Sequence, residues 1–307
     1  MSHLLIATAV GTEEFSLVPA ATVGGLVTGS LYALFAMSLV ILMRTTGVGN
    51  FAAGGMAVVL SFLTYRTFVD GAGLSIWMAA PLAVVAGAAL GVAIYGVVMA
   101  PLSRYGAMNG TFRTIGLFLL LGALATRFWG VGQPFSVEGL VSPGTVRVLG
   151  INVGYDQLAV LVTVLIVVVV LYLVIQRTRM GLWMRAVGSN REAASLIGVR
   201  VRQVEVMAWG AAGAMLAAIG ILFAPITVLS TGMMDAFLIN GFTAAVVGGI
   251  YSFPGAAIGG LLLGVVISVT SVFVGPAWQQ LIALAVLLAV LRFRPEGIFG
   301  KERADRV

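Results

Sequence analysis

The chain has no cysteine, one histidine (His3) and one lysine (Lys301), and only 9% of its 307 residues are charged. The lack of cysteine excludes disulfides, thiolate metal sites and cysteine nucleophiles. A single histidine rules out paired-histidine metal centres. With its only lysine at position 301, the chain cannot carry a G-x-x-x-x-G-K-[ST] phosphate loop and does not hydrolyse ATP by that device. There is no G-x-S-x-G elbow, and serines inside apolar runs, such as Ser38 and Ser61, have no evident base, which counts against an intramembrane serine protease. Eleven acids and seventeen bases cannot coat a soluble protein of this length, for which about 25% charged residues is usual. Within the apolar runs charge is almost missing: Asp70, Asp156, Glu205 and Asp235 fall at their ends, as do Arg44, Arg66 and Arg127. Ion-driven transporters keep ionisable groups at mid-membrane. A solute carrier without them works passively or borrows energy from a partner.

What is there is apolar: 60% of residues are hydrophobic and mean hydropathy is +1.10. Crossing about 30 Å of hydrocarbon takes about 20 residues. Suitable runs occupy 18–43, 51–69, 76–98, 114–129, 158–175, 206–225, 236–250, 256–274 and 278–291. They are unbroken rather than alternating, which excludes a barrel. The expectation is an all-α, polytopic transmembrane helical bundle of eight or nine spans, with 236–250 short enough to be broken or re-entrant. No basic segment precedes the first run, so no cleaved signal peptide is expected.

Basic residues accumulate on the cytoplasmic side of membrane proteins. Arg177, Arg179, Arg185, Arg191, Arg200 and Arg202 crowd one loop, Arg104 and Arg113 another, and Arg292, Arg294, Lys301, Arg303 and Arg306 the tail. Nine crossings put all three inside, the C-terminus with them, and the N-terminus with Glu13 and Glu14 outside. The net charge of +6 is then topological, aimed at the membrane lipid surface and not at nucleic acid. The outer 131–156 loop holds Pro143-Gly144 and the alternating Thr145-Val146-Arg147-Val148, which predicts a turn and a small hairpin.

Glycine numbers forty, and its spacing with other small residues at Gly24-Gly25 to Gly29, Gly87 to Gly91 and Gly255 to Gly259-Gly260 to Gly264 predicts close helix crossings. Asn50-Phe51-Ala52-Ala53-Gly54-Gly55 and Asn240-Gly241-Phe242-Thr243-Ala244-Ala245 look faintly alike, as an internal repeat would. Asn50, Phe51, Asn240 and Thr243 lie on broken or glycine-rich spans. They are candidates to line a path for a polar, net-neutral solute, unless they serve only hydrogen bonding between helices.

One further segment stands out. Ser189 and Glu192 fit an S-x-x-E capping box, and Gly198 supplies a helix stop. The expectation is a two-turn helix that exposes Ala193, Ala194, Leu196 and Ile197 as a small apolar knob for another protein's groove.

Glu192-Ala193-Ala194, three further residues and Gly198 match the E-A-A-x-x-x-G loop that forms the coupling helix of ATP-binding-cassette importer permeases. The chain resembles the branched-chain amino acid type of permease along nearly its whole length. The likeness runs through Gly49-Asn50-Phe51-Ala52-Ala53-Gly54, Arg179-Met180-Gly181, Arg185-Ala186, Ser195-Leu196-Ile197-Gly198-Val199, Phe242-Thr243-Ala244-Ala245-Val246-Val247-Gly248-Gly249-Ile250, Phe253-Pro254-Gly255-Ala256-Ala257-Ile258-Gly259-Gly260 and Arg294-Pro295-Glu296-Gly297-Ile298-Phe299-Gly300. It departs at Ala53, where the family usually has histidine, and at Gly55, often an acid.

The resemblance implies one transmembrane permease domain, 1–307, in a bacterial inner membrane, with a coupling segment at about 185–205. Its partners would be ABC ATPase subunits, a second permease subunit and an extracytoplasmic solute-binding protein. It implies uptake of branched-chain or other small amino acids, with no enzyme activity and no cofactor or metal of its own. Glu192, Ala193, Ala194, Leu196 and Gly198 would couple to the ATPase. The rival reading is a passive channel for small neutral solutes such as urea or short amides.

Overall fold

A computed structural model describes residues 2–101, 106–130, 134–142, 144–148 and 151–300, with the backbone alone for 2–16, 107 and 148. The chain runs α1 (Ser2–Thr46), α2 (Ala53–Phe62, continued by a π-helical stretch, Leu63–Val69) and α3 (Ile76–Ile94, continued likewise by Tyr95–Met99). After α4 (Gly106–Trp129) come β1 (Thr145–Val148), β2 (Ile151–Gly154) and α5 (Tyr155–Arg177). Then follow α6 (Arg179–Ser189), α7 (Arg191–Leu196), α8 (Val201–Phe223), α9 (Asp235–Gly248), α10 (Phe253–Val274) and α11 (Gln279–Phe293). All nine apolar runs are helical. Among the described residues seven helical segments are long and apolar enough to cross a membrane, and the shorter apolar helices are Ala53–Val69 and Asp235–Gly248. The expected hairpin forms, with Thr145 opposite Gly154 and Val148 opposite Ile151.

Two helix pairs make the frame: α1 lies along α10, and α3 along α8. Lipid tails are as apolar as leucine, so hydrophobic burial cannot drive helices together in a bilayer and dispersion contact must. The glycines supply it. A Cβ on Gly25 would stand 2.8 Å from Val265 Cα, and one on Gly264 would fall on the Gly29 backbone. Across the second pair, Cβ atoms on Gly91 and Gly213 would fall on the carbonyls of Trp209 and Gly87.

The short helices α2 and α9 sit within this frame. Helix α2 packs on α8 and α4, and α9 on α10, α1 and α11. Exchanging α1–α4 for α8–α11 matches several of these pairs, as two repeats would, but the close α9–α10 packing has only a weak counterpart between α2 and α3. The two Asn-containing motifs do not correspond in this exchange: Asn50 precedes α2, whereas Asn240 is inside α9.

The arginine-rich loops gather at one end of the bundle. Gly188 lies against the Arg44 carbonyl, the Arg44 guanidinium stands 5.7 Å above the Phe253 ring, and Ile298 N–H donates to Val247 O at 2.8 Å. The hairpin is at the other end, where Phe135 bridges to Leu229 and Arg66 pairs with Asp70 and lies over the Phe135 ring. Arg104, Pro143, Lys301, Arg303 and Arg306 lie outside the described residues.

Overpacking a helix crossing costs about 1–3 kcal/mol and more where backbone blocks relaxation. Gly264→Val should therefore destabilise the detergent-solubilised chain by at least about 3 kcal/mol. Gly122→Ala on α4, where a Cβ meets nothing within 4 Å, should be neutral or stabilising by about 0.5–1 kcal/mol. Thermal unfolding followed by size-exclusion chromatography compares them; equal shifts would contradict the bare-backbone crossing.

Candidate functional site

Helix α7 lies in the arginine-rich end, between α6 and α8. Its first residue follows Asn190, which is extended (φ −153°, ψ 110°) and accepts the Ala193 N–H through its side chain at 2.9 Å. The predicted capping box is thus displaced by one residue. Ser189 is the last residue of α6, and Asn190, an equally good cap, takes the position because it is where the chain turns out of helix. Glu192 is exposed on the first turn, where a carboxylate complements the helix dipole, and its backbone carbonyl accepts from Ser195 Oγ at 2.7 Å.

The stop is at Gly198, as expected. Its φ of +88° is open to glycine at little cost. Its N–H donates to Ser195 O at 3.1 Å and the Val199 N–H to Ala194 O at 3.0 Å, which is the paired 5→2 and 6→1 closure of a Schellman motif. Leu196 and Ile197 just before it are 87% and 77% exposed. Ala193 is exposed too, but Ala194 is 2% exposed and packs into the core. The expected four-residue knob is therefore three residues, because position 194 faces the bundle and holds the helix to it.

The second set of candidates lies where α2 and α9 enter the frame. The non-helical Gly47–Asn50 entry is pinned to α4: Gly49 N–H donates to Thr111 Oγ1 at 3.2 Å, and Phe51 N–H to the buried Thr114 Oγ1 at 3.0 Å. Phe51 stacks on Phe242 of α9 with centroids 4.5 Å apart and planes 19° from parallel. Asn50 and Asn240 are buried and not joined to each other. Asn50 Nδ2 reaches Met56 Sδ at 3.8 Å, and Asn240 Nδ2 donates to Tyr32 Oη at 2.9 Å. Each Oδ1 is buried and finds no donor among the described residues. Thr243 is buried beside Phe242. Ala53 is fully buried, and Gly55 fits under Leu121 of α4, 3.1 Å from where its Cβ would be.

Sequence reasoning missed two residues. Phe242 becomes a partner of Phe51 only in three dimensions. Glu205, expected at a span end, is there but 3% exposed, and pairs with Arg191 of α7 and Tyr95 of α3. A signal was available: Val201, Glu205, Ala208 and Ala212 recur at helical spacing, which places the acid on the apolar stripe of α8.

Residues 21–291 match the family model described as branched-chain amino acid transport system, permease component. The chain belongs to this permease family. Its relatives include the high-affinity branched-chain amino acid transport system permease protein BraD of Pseudomonas aeruginosa, 29% identical over 297 residues and covering 93% of this chain and 96% of that protein. LivH of Escherichia coli, with the same description, is 26% identical over 298 residues, 92% of this chain and 96% of the relative. A fructose import permease, FruF of Bifidobacterium longum, is 22% identical over 252 residues, 76% of this chain and 66% of that protein. Membership makes this permease a multi-pass transport protein of the membrane.

A lost N-cap costs about 1 kcal/mol. Asn190→Ala should accordingly speed amide hydrogen exchange in 191–196 about five-fold, whereas Ser189→Ala should leave it unchanged. The reverse ranking would restore the capping box first expected from the sequence.

Proposed function

We propose that this permease is one of two membrane subunits of an ATP-binding-cassette importer that takes up branched-chain or other small amino acids. It would be a single membrane domain, 1–307, crossing nine times if both short helices cross, with the arginine-rich end and the C-terminus cytoplasmic and the N-terminus outside. Family membership supports the class, and the names of BraD and LivH support the substrate. The observation that carries the coupling is α7: a helix capped at both ends, held to the bundle by Ala194, that presents Leu196 and Ile197 to solvent beside a crowd of arginines. Two large apolar side chains on a rigid two-turn helix suit a groove on a soluble partner.

Each turnover would begin with a binding protein releasing solute at the hairpin end. ATP-driven closure of the ATPases would then move α7 through Glu192, Ala193, Leu196 and Gly198 and shift the bundle between inward and outward access. The Phe51–Phe242 stack would close the path between α2 and α9. The free oxygens of Asn50 and Asn240 suit an N–H donor such as the ammonium group of an amino acid, and uncharged surroundings suit a net-neutral solute.

Purification from the native host in mild detergent tests the coupling site. An ATPase, and a second permease if the pair is heterodimeric, should accompany the wild type. Leu196→Asp should lower ATPase recovery at least about ten-fold, since a loss of about 1.4 kcal/mol suffices, while leaving the melting temperature of the permease unchanged. Full retention of the ATPase would remove α7 as the docking element, and a wild type that always purifies alone would favour the passive channel.

A further inference from the structure

A docking helix is useful only if its motion reaches the spans, and α7 has few ways to hand it on. Glu205 lies in the second turn of α8, and its carboxylate oxygens serve two other elements. Tyr95 Oη, in the π-helical end of α3, donates to Oε2 at 2.5 Å, and Arg191 Nη1, on the first residue of α7, stands 2.5 Å from Oε1. The Arg191 side chain is about half exposed, whereas that of Glu205 is 4% exposed. An ionised carboxylate taken out of water is strongly disfavoured unless a cation and hydrogen bonds accompany it. Moving α7 away would strip the carboxylate of its cation, so the helix cannot shift freely of Glu205.

What Glu205 is attached to matters equally. One turn further along α8, the Trp209 carbonyl meets Gly91 of α3, and Gly213 meets Gly87, backbone to backbone. Two helices in such contact have no soft side chains between them to absorb displacement, so they move as one body. Tyr95 adds a bond between the same two helices just beyond that crossing. We infer that Glu205 is a positioning residue that receives the movement of α7 through Arg191 and passes it to the α3–α8 pair, an inference that rests on the importer reading. The Arg191–Glu205–Tyr95 chain is the ionic link between the docking helix and the bundle, complementing the apolar anchor at Ala194.

The test compares wild type, Arg191→Gln, Arg191→Lys, Glu205→Gln and the Arg191→Gln/Glu205→Gln double variant. Each is reconstituted with its co-purified partners, and radiolabelled leucine uptake and ATP hydrolysis are read in the same vesicles. Arg191→Gln should lower leucine imported per ATP hydrolysed at least about five-fold, the lower edge of typical coupling between sites, with ATP hydrolysis within about two-fold of wild type. The double variant, with no unpaired charge left, should regain thermal stability yet keep the low ratio, and Arg191→Lys should restore it. A purely structural ion pair would shift stability and assembly and leave the ratio untouched in every variant; that result overturns the inference.

A second measurement needs no partner. The native chain has no cysteine, so Ser195→Cys and Thr227→Cys can be spin-labelled uniquely. Arg191→Gln, or Glu205→Gln where the first does not accumulate, should broaden the distance distribution between the labels. An unchanged distribution overturns the tether. Wild-type vesicles that import neither leucine nor any other branched-chain or small amino acid with ATP would overturn the importer reading instead, and the labels would still decide whether Arg191 holds α7.

Discussion

Helix α3 can lie on α8, and α1 on α10, only because glycines let the two backbones of each pair meet where they cross. In lipid there is no water to drive these helices together, so the closeness of Gly87 and Gly91 to Gly213 and Trp209, and of Gly25 and Gly29 to Val265 and Gly264, is the source of cohesion. That closeness fixes the positions of everything else. The two pairs leave room between them for the short helices α2 and α9, and they turn the Glu205 face of α8 toward Tyr95.

Short helices bring their own difficulty, because each end exposes polar backbone within an apolar medium. The sequence meets it with local partners. Threonines 111 and 114 take the N–H groups of Gly49 and Phe51 at the entry to α2. The far end of α9 is closed by the C-terminal strap: Ile298 and Phe299 N–H donate to Val247 and Gly248 carbonyls at 2.8 and 3.3 Å, and Gly249 turns with φ +104° where the strap crosses it. With the backbone so satisfied, the unmatched polar atoms that stand out there are the two asparagine oxygens.

Much of this was legible in the sequence because lipid imposes a simple rule: apolar runs of sufficient length become helices. All nine runs did, and glycine spacing identified the crossings at Gly25–Gly29, Gly87–Gly91 and Gly260–Gly264. Helix α4 begins earlier than its apolar run, continuing through the more polar Gly106–Arg113, whose Thr111 anchors Gly49. Helix α7 was legible in its stop, where only glycine tolerates the angle, but not in its start, where serine and asparagine are equal candidates and the turn decides. Ala194 faces the bundle, and Glu205, at the span end where the sequence puts it, is buried; both follow from one cause. Which face of a short helix or a helix end meets the bundle depends on tertiary packing, and composition alone treats alanine as neutral and glutamate as exposed. The Phe51–Phe242 stack joins residues far apart in the chain, and nothing local announces it.

We propose that this permease moves solute only when a soluble ATPase works through α7. Reconstituting the chain alone, and with its co-purified partners, into vesicles loaded with or without ATP, and following radiolabelled leucine in each, tests it most directly. Accumulation that requires both partners and ATP, with no flux through the chain alone, is the predicted result. Leucine or urea equilibrating through the isolated chain without ATP would contradict it and identify a passive channel.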